Sequence, residues 1–386
     1  MRDISLIHQL YLLNTYPFRG KTFVKGRGCY LYDENGRTYL DLTSNYGVNI
    51  FGHNYPEMTK ALQEQLAGLT NLHCSFANDI RAKAAEVLVK RCGENISKVY
   101  FSNSGTEAVE AALKFAALAT GKKEIISTAG AYHGKTFGAL SVTHLQKYHQ
   151  GIEDLLWKVK FILFGDSRAL AGAISKDTAA FIAEPIQGEA GVIIPPARYL
   201  EEARNICRKN NVVLILDEVQ TGAGRTGTFL AAQQSNAAAD IICLGKGLAG
   251  GIPAGATLVS GDIARKIPKS FQTSTFGGNP LACRGIVETL RLLDEKMLER
   301  VGELEKFFIN DLANLKSKRI KEVRGRGLMI GVEIDGNRDE ILKKMQQKGI
   351  LACPAGDQTV RFLPPYIITE LEIGKTVSVL SEILSD

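Results

Sequence analysis

The sequence contains no CxxC pair, no uncharged apolar run approaching the ~18 residues of a membrane span, no dense block of lysine and arginine, and no HExxH pair. Each absence excludes a class. Without CxxC, the seven cysteines at 29, 74, 92, 207, 243, 283 and 353 build neither a zinc ribbon nor a disulfide framework. They read as small buried thiols of a reducing compartment, and a cytoplasmic setting is expected. The opening residues are interrupted by His8 and Gln9 and offer no small-residue cleavage site, so no signal peptide is expected. Lys plus Arg number 47 against 41 Asp plus Glu, a net charge of +6 spread thinly over 386 residues, which argues against a nucleic-acid or anionic-membrane surface. The six histidines, at 8, 53, 73, 133, 144 and 149, show no ligand spacing, and no metal is expected. There is no internal repeat and no low-complexity tract.

What is present is glycine in clusters, 38 in all, and a run of short apolar segments. Val99–Phe101, Glu124–Ile126, Ala180–Ala183, Val212–Leu216 and Ile241–Leu244 are continuous rather than alternating, as in strands covered on both faces. Helical patterns lie between them. The alternation predicts an α/β fold with a largely parallel sheet. Residues 1–55 read as an N-terminal segment serving a smaller domain, 56–284 as the large domain, and 285–386 as a smaller α+β domain. In the last, a long charged helix is expected over Gly285–Leu315 and a strand over Gly327–Ile334.

Polar clusters begin where the predicted strands end, the place where open parallel sheets bind ligands. Ser104-Gly105-Thr106-Glu107 precedes a helix; it is either a simple capping box or a phosphate cradle of unpaired N–H groups. Asp217 ends five apolar residues; it is either a surface acid or a buried charge awaiting a cation such as a protonated pyridine nitrogen. Lys246 lies among small residues in Gly-Lys-Gly-Leu-Ala-Gly-Gly; it is either a solvated charge or a desolvated amine poised to attack a carbonyl. Gly222–Gly227 matches GxGxxG formally. Five residues, two of them acids, separate it from the preceding strand and no clear helix follows at once, so a dinucleotide site is not expected.

These clusters, with Tyr-His-Gly-Lys-Thr at 132–136, Glu-Pro-Ile-Gln-Gly-Glu-Ala-Gly at 184–191 and Thr-Ser-Thr-Phe-Gly-Gly-Asn-Pro at 273–280, stand in an order that resembles the class III pyridoxal-phosphate (PLP) aminotransferases of fold type I. The wording is similar to the acetylornithine branch, and the resemblance runs from about Tyr16 to the C-terminus. It implies the fold type I architecture: a large domain with a mostly parallel central sheet and a smaller α+β domain. It also implies that Lys246 is the lysine bonding PLP and moving the substrate proton, and that Asp217 pairs with the ring nitrogen. Gln220 would face the phenolic oxygen. Val219 and Tyr132 would cover the two ring faces, with His133 beside them. Ser104, Gly105 and Thr106 would cradle the phosphate, joined by Ser274 and Thr275 of a second subunit in a homodimer with shared sites.

On the substrate side the resemblance implies that Arg361 takes the α-carboxylate of glutamate or 2-oxoglutarate and that Glu189 neutralises it during the other half-reaction. Glu184 is similar to an acid near the cofactor. Lys135 stands where the family usually carries the arginine that holds a distal carboxylate. Tyr46 stands where the acetylornithine branch tends to have a small aliphatic residue, and Tyr16 is a further candidate near the substrate carboxylate. The implied reaction moves the terminal amino group of N-acetylornithine, or of a carrier-linked lysine or ornithine analogue, to 2-oxoglutarate. Ornithine, putrescine and 4-aminobutyrate are alternative donors. A glutamate-1-semialdehyde-type aminomutase on the same fold is the rival, and the Arg361–Glu189 pair argues against it.

Overall fold

A computed structural model describes residues 4–235 and 237–385. Its centre is a seven-stranded sheet, in spatial order Ile96–Ser102, Gly255–Ser260, Ile241–Leu244, Val213–Asp217, Thr178–Ala183, Glu124–Thr128 and Lys160–Ile162. Every pairing from Ile241–Leu244 outward to Lys160–Ile162 is parallel. Gly255–Ser260 alone runs against its two neighbours. The fold is therefore mixed α/β with a mostly parallel sheet.

The unbroken apolar runs follow from cover on both faces. Along Val213–Asp217, Leu214 and Leu216 enter one core while Val213 and Ile215 enter another on the opposite side. Period 2 persists in direction, but both directions are dry, so no polar residue marks the alternation. The second core is built largely from the helix Gly105–Thr120. Its alanines at 108, 111, 112, 116 and 119 let the backbone lie close on the sheet. Gly121, at φ +70, ends that helix in the left-handed conformation that glycine adopts without penalty.

Two four-stranded sheets flank the large one. Ile320–Arg326, Met329–Ile334, Thr359–Phe362 and Cys353–Ala355 form an antiparallel sheet. Phe23–Arg27, Tyr30–Asp33 and Thr38–Asp41 form a meander, to which Ile350–Leu351 adds a parallel strand from the C-terminal third of the chain. The expected helix over Gly285–Leu315 is two helices, Pro280–Leu292 and Glu295–Ala313. The break falls at Asp294, whose carboxylate accepts the Met297 N–H at 2.8 Å and starts the second helix.

The loop Gly222–Gly227 joins the sheets. Arg225 is buried and donates through Nη1 to the carbonyls of Leu328 (3.0 Å) and Pro364 (2.6 Å). Its guanidinium stacks on Tyr366, whose hydroxyl donates to the Ala223 carbonyl at 2.8 Å. The residues set aside as a failed dinucleotide motif thus carry the antiparallel sheet, and Arg361 on it, to the mouth of the central one.

Candidate active site

The site grows from four strand ends. Asp217 closes its strand. One carboxylate oxygen accepts the Val219 N–H at 3.0 Å, a local turn that fixes its rotamer; the other lies 2.7 Å from Nδ1 of His133. Both side chains are buried. His133 is held in turn by its own N–H, which donates to the Thr143 hydroxyl at 2.9 Å. An acid at the end of an apolar strand is kept in place by neighbours from two other segments, as a buried charge requires.

Three loops converge within van der Waals contact beside it. A Cβ on Gly105 would lie 2.6 Å from a methyl of Val219, and one on Gly245 would lie 3.0 Å from the Gly105 Cα. Only hydrogen fits at these two places. Ser104 caps the helix that follows by accepting the Glu107 N–H at 3.3 Å. The Glu107 carboxylate reaches back to accept the Asn103 N–H at 2.7 Å and the Ser104 hydroxyl at 3.1 Å. The first N–H groups of that helix, at Gly105 and Thr106, remain free at its half-buried positive end. The Thr106 and Thr136 hydroxyls share a hydrogen bond of 2.9 Å.

Lys246 opens a short 3-10 turn, Lys246–Ala249, at φ +46. Few non-glycine residues adopt this conformation, and here it directs the side chain into the cleft. Burial lowers the proton affinity of its amine. Arg361 adds to that effect, while Glu189, Asp217 and Glu184 oppose it, and the balance stays below the usual lysine value. Those four charged groups define the cleft around Lys246.

Arg361 sits on the strand Thr359–Phe362 with no exposed surface. It pairs with Glu189 at 2.7 Å and donates to the Gln220 side-chain oxygen at 2.9 Å. Burial alone would raise the Glu189 carboxyl, but Arg361 and Lys246 outweigh it and hold it below the ordinary range. Gln220 is thus committed to Arg361 in this arrangement. Glu184 accepts the backbone N–H groups of Tyr132 (3.0 Å) and Gly188 (3.2 Å). Burial first, and Asp217 next among the raising influences, push it up to about 7 against the opposing pull of His133.

Toward solvent the site is built differently. Tyr16 is 78% exposed and Tyr46 43%. Ser44, Asn45 and Tyr46 are three successive left-handed residues, at φ +43, +52 and +57. Asp41 holds this bend by accepting the Thr43 N–H (2.9 Å), the Thr43 hydroxyl (2.6 Å) and the Ser44 N–H (3.2 Å), and it pairs with His53 at 2.9 Å. The Tyr46 ring faces the Arg361 guanidinium at 5.7 Å. Lys135 is exposed, with its ammonium 4.4 Å from the centre of the Tyr148 ring. Tyr148 meets Tyr132 edge-on at 5.7 Å. Ser274 lies by Asn103, 3.4 Å from its amide, and accepts the Gly277 N–H at 2.8 Å; Thr275 is exposed.

Lys246, Asp217, His133, Glu184, Glu189, Gln220 and Arg361 thus come together, with Gly105, Val219 and Tyr132 against them. Tyr16 and Thr275 lie on the outside of the chain. Sequence reasoning missed Tyr148, Arg225 and the Asp41–His53 pair. Tyr148 carries no spacing signal, being thirteen positions beyond Lys135 at the end of a short 3-10 turn, Gln146–Tyr148. The signal for Arg225 was present in an arginine set among glycines.

Comparison with known proteins bears on this arrangement. A family model described as "Aminotransferase class-III" matches residues 17–384. Acetylornithine aminotransferase of Aquifex aeolicus is 41% identical over 383 residues, covering 97% of this chain and 100% of that one. The LysW-aminoadipate semialdehyde/glutamate semialdehyde transaminase of Sulfolobus acidocaldarius is 39% identical, covering 96% of each chain. Among solved structures, an ornithine aminotransferase from Toxoplasma gondii with partial PLP occupancy at its active site superposes with a TM-score of 0.92 at 33% identity, over 98% of this chain and 93% of that one.

Proposed function

The chain belongs to the class III aminotransferases, and from that premise we propose how its own residues carry the transfer and which donor it uses. It is a transaminase, and PLP is its cofactor. The single observation that carries the residue assignment is the meeting of a desolvated amine at 246, a buried anchored acid at 217 and the Arg361–Glu189 pair in one cleft.

The residues fit PLP. The glycines at 105 and 245 let their loops close on Val219 with no side chain between, and the helix end at Gly105–Thr106 offers free N–H groups to a phosphate. Ser104 supports that end. Val219 and Tyr132 would cover the ring faces, with His133 behind. When bound, PLP supplies an electrophilic carbonyl and a ring that accepts electrons. Asp217, kept in position by His133 and the Val219 N–H, would keep a proton on the ring nitrogen. Lys246 Nζ would take the proton from the carbon bearing the donor's amino group and hold it for return on the cofactor side; burial lowers its proton affinity, the direction a base requires. Glu184 fixes the Tyr132 backbone from behind.

Glu189 and Arg361 let one cleft serve two substrates. Paired with Glu189, Arg361 is neutralised and the cleft accepts an ω-amine end that carries no carboxylate. Released, it offers a bidentate fork to the α-carboxylate of 2-oxoglutarate, and Gln220 is freed with it for the phenolic oxygen. Lys135, with Tyr16 and Tyr46 at the rim, meets the distal carboxylate. The donor is N-acetylornithine or a carrier-linked lysine or ornithine analogue, with ornithine, putrescine and 4-aminobutyrate as the alternatives to assay. The relatives' names support the first choice.

The working form is a homodimer in which Ser274 and Thr275 reach the partner's phosphate site. A cleft of about 700 Å³ beside Ser274, with the exposed Phe76 at its edge, supports a second copy docking there. The division into 1–55, 56–284 and 285–386 belongs to the same reading, supported by the central sheet lying within the middle segment. Among the described residues no helix is long and apolar enough to cross a membrane, and the seven free thiols support a reducing cytoplasm. Holoenzyme given each donor with 2-oxoglutarate should form glutamate, fastest with an Nα-acylated diamino acid; no glutamate from any of them rejects the donor assignment.

A further inference from the structure

We propose that Arg324 is the positioning residue of the Arg361–Glu189 gate. It fastens the segment that carries Glu189, so that the carboxylate meets Arg361 from a fixed backbone and the gate opens by rotation of that side chain alone. The inference rests on the gate reading given above and deepens it.

The antiparallel sheet sets two arginines in register. Arg324, on the strand Ile320–Arg326, stands opposite Gly331, and Gly331 stands opposite Arg361. Residues paired directly across strands share a face, so the two guanidinium groups flank a position without a side chain. Residues 189–191 lie over that gap: a Cβ on Gly331 would come 3.1 Å from the Gly191 carbonyl oxygen. Arg361 takes one end of the segment through the Glu189 carboxylate at 2.7 Å. Arg324 takes the other, its Nε donating to the Gly191 carbonyl at 2.9 Å. The same guanidinium donates through Nη2 to the Thr359 hydroxyl at 3.2 Å, on the strand that carries Arg361. One side chain thus holds the backbones of both members of the gate. The Gly356 N–H, donating to the Glu189 carbonyl at 2.7 Å, secures the segment from a third side.

The backbone records this constraint. Gly191 lies at φ +121, and the buried Val192 at φ +60. A β-branched residue persists in the left-handed region only where its surroundings over-determine it. Glycine is required at 191, since a Cβ there would lie 2.9 Å from the Thr359 hydroxyl and 3.0 Å from Arg324 Nη2. The charge of Arg324 is already met: its Nη1 lies 2.6 Å from a carboxylate oxygen of Glu322 and of Glu333. What it lends to Glu189 is position, and position decides how well that carboxylate competes with an incoming one for Arg361.

Loosening the segment would leave Arg361 in place, since Gln220 and the Pro354 carbonyl still accept from it at 2.9 and 3.3 Å. An unmasked buried arginine disfavours a donor end without a carboxylate and favours one that carries it. The two half-reactions should therefore move apart, whereas a side chain that only supports the fold would lower both.

The test follows each half-reaction of the holoenzyme in single turnovers, with the fastest of the donors named above and, on the aminated enzyme, with 2-oxoglutarate. Arg324→Lys keeps the charge but cannot hold Gly191 and Thr359 together. The second-order rate constant for the donor should fall about two- to ten-fold, the yield of one hydrogen bond, while that for 2-oxoglutarate stays level or rises. Gly331→Ala, which pushes a methyl group between the arginines and leaves Arg324 intact, should produce the same divergence. Glu189→Gln should show it at full size, and adding Arg324→Lys to that variant should change nothing further. Unaltered circular dichroism and visible absorbance of bound PLP show that each variant is folded and loaded. A divergence in Glu189→Gln that is missing from Arg324→Lys, or an equal loss in both half-reactions of Arg324→Lys, overturns the proposal alone. No divergence in Glu189→Gln overturns the gate reading and the proposal with it.

Discussion

The floor of the cleft and its rim are built on opposite plans. On the floor, Asp217, His133 and Arg361 are buried, and each is held by partners from other segments at 2.7–2.9 Å. At the rim, Tyr16, Tyr46 and Lys135 are exposed, and the backbone of Ser44–Tyr46 is held in an unfavourable conformation by the single carboxylate of Asp41. Charge on the floor is worth most where water is excluded, and the chemistry needs it fixed. At the rim the same charges are screened and mobile, which suits recognition of variable groups. Chemistry and specificity in this chain therefore rest on interactions of different strength, and substitutions should separate them.

The largest separation is expected at Lys246. Lys246→Ala should lower turnover by at least about a thousand-fold, since it removes both the covalent anchor and the proton carrier. The visible absorbance of bound PLP should vanish while the circular dichroism stays native. Retained turnover would remove Lys246 from the mechanism.

Arg361→Lys comes next. The point charge keeps the pairing with Glu189 but not the fork, so KM for 2-oxoglutarate should rise by roughly ten- to a hundred-fold. The half-reaction with the donor, followed alone in a single turnover, should change less. Equal damage to both half-reactions would mean that Arg361 supports the fold rather than gating the cleft.

A third contrast concerns pH. The buried Glu184 carboxyl is raised to about 7 from an ordinary 4.5, so the folded state prefers it protonated. Its contribution to stability is complete below pH 4.5 and is lost as the pH climbs through 7. Glu184→Gln mimics the neutral form and should flatten the decline in urea-unfolding stability between pH 5 and 8 (about the titration range of such a group). An undiminished slope would assign the decline elsewhere, with buried Glu218, raised to a similar value by burial, as the other source.

The smallest effect belongs to the rim. Lys135→Arg restores a fork, and KM for donors with a distal carboxylate should fall by no more than about five-fold. A rise instead would mean that Lys135 does not face that group.

How much of this was legible beforehand varied with the kind of signal. Asp217, Lys246 and Ser104–Thr106 stood out because polar residues at the ends of wholly apolar strands are conspicuous, and the structure brings Asp217 and Lys246 into one cleft. The antiparallel strand Gly255–Ser260 did not stand out, because a strand dry on both faces reads the same in either direction. The pairing of Ile350–Leu351 with Thr38–Asp41, about three hundred positions apart, left no trace in composition or spacing.

Local pattern alone determined most of the strands of the central sheet and which polar residues sit at their ends, since these depend on neighbours within a few positions. Only the tertiary structure decided that Arg361 also engages Gln220, that Tyr148 gathers two lysines, and that Arg225 fastens one sheet to another. Those contacts join segments from about a dozen to well over a hundred positions apart in the chain. Nothing in a stretch of sequence records its distant partners, because they are chosen by the packing of whole layers.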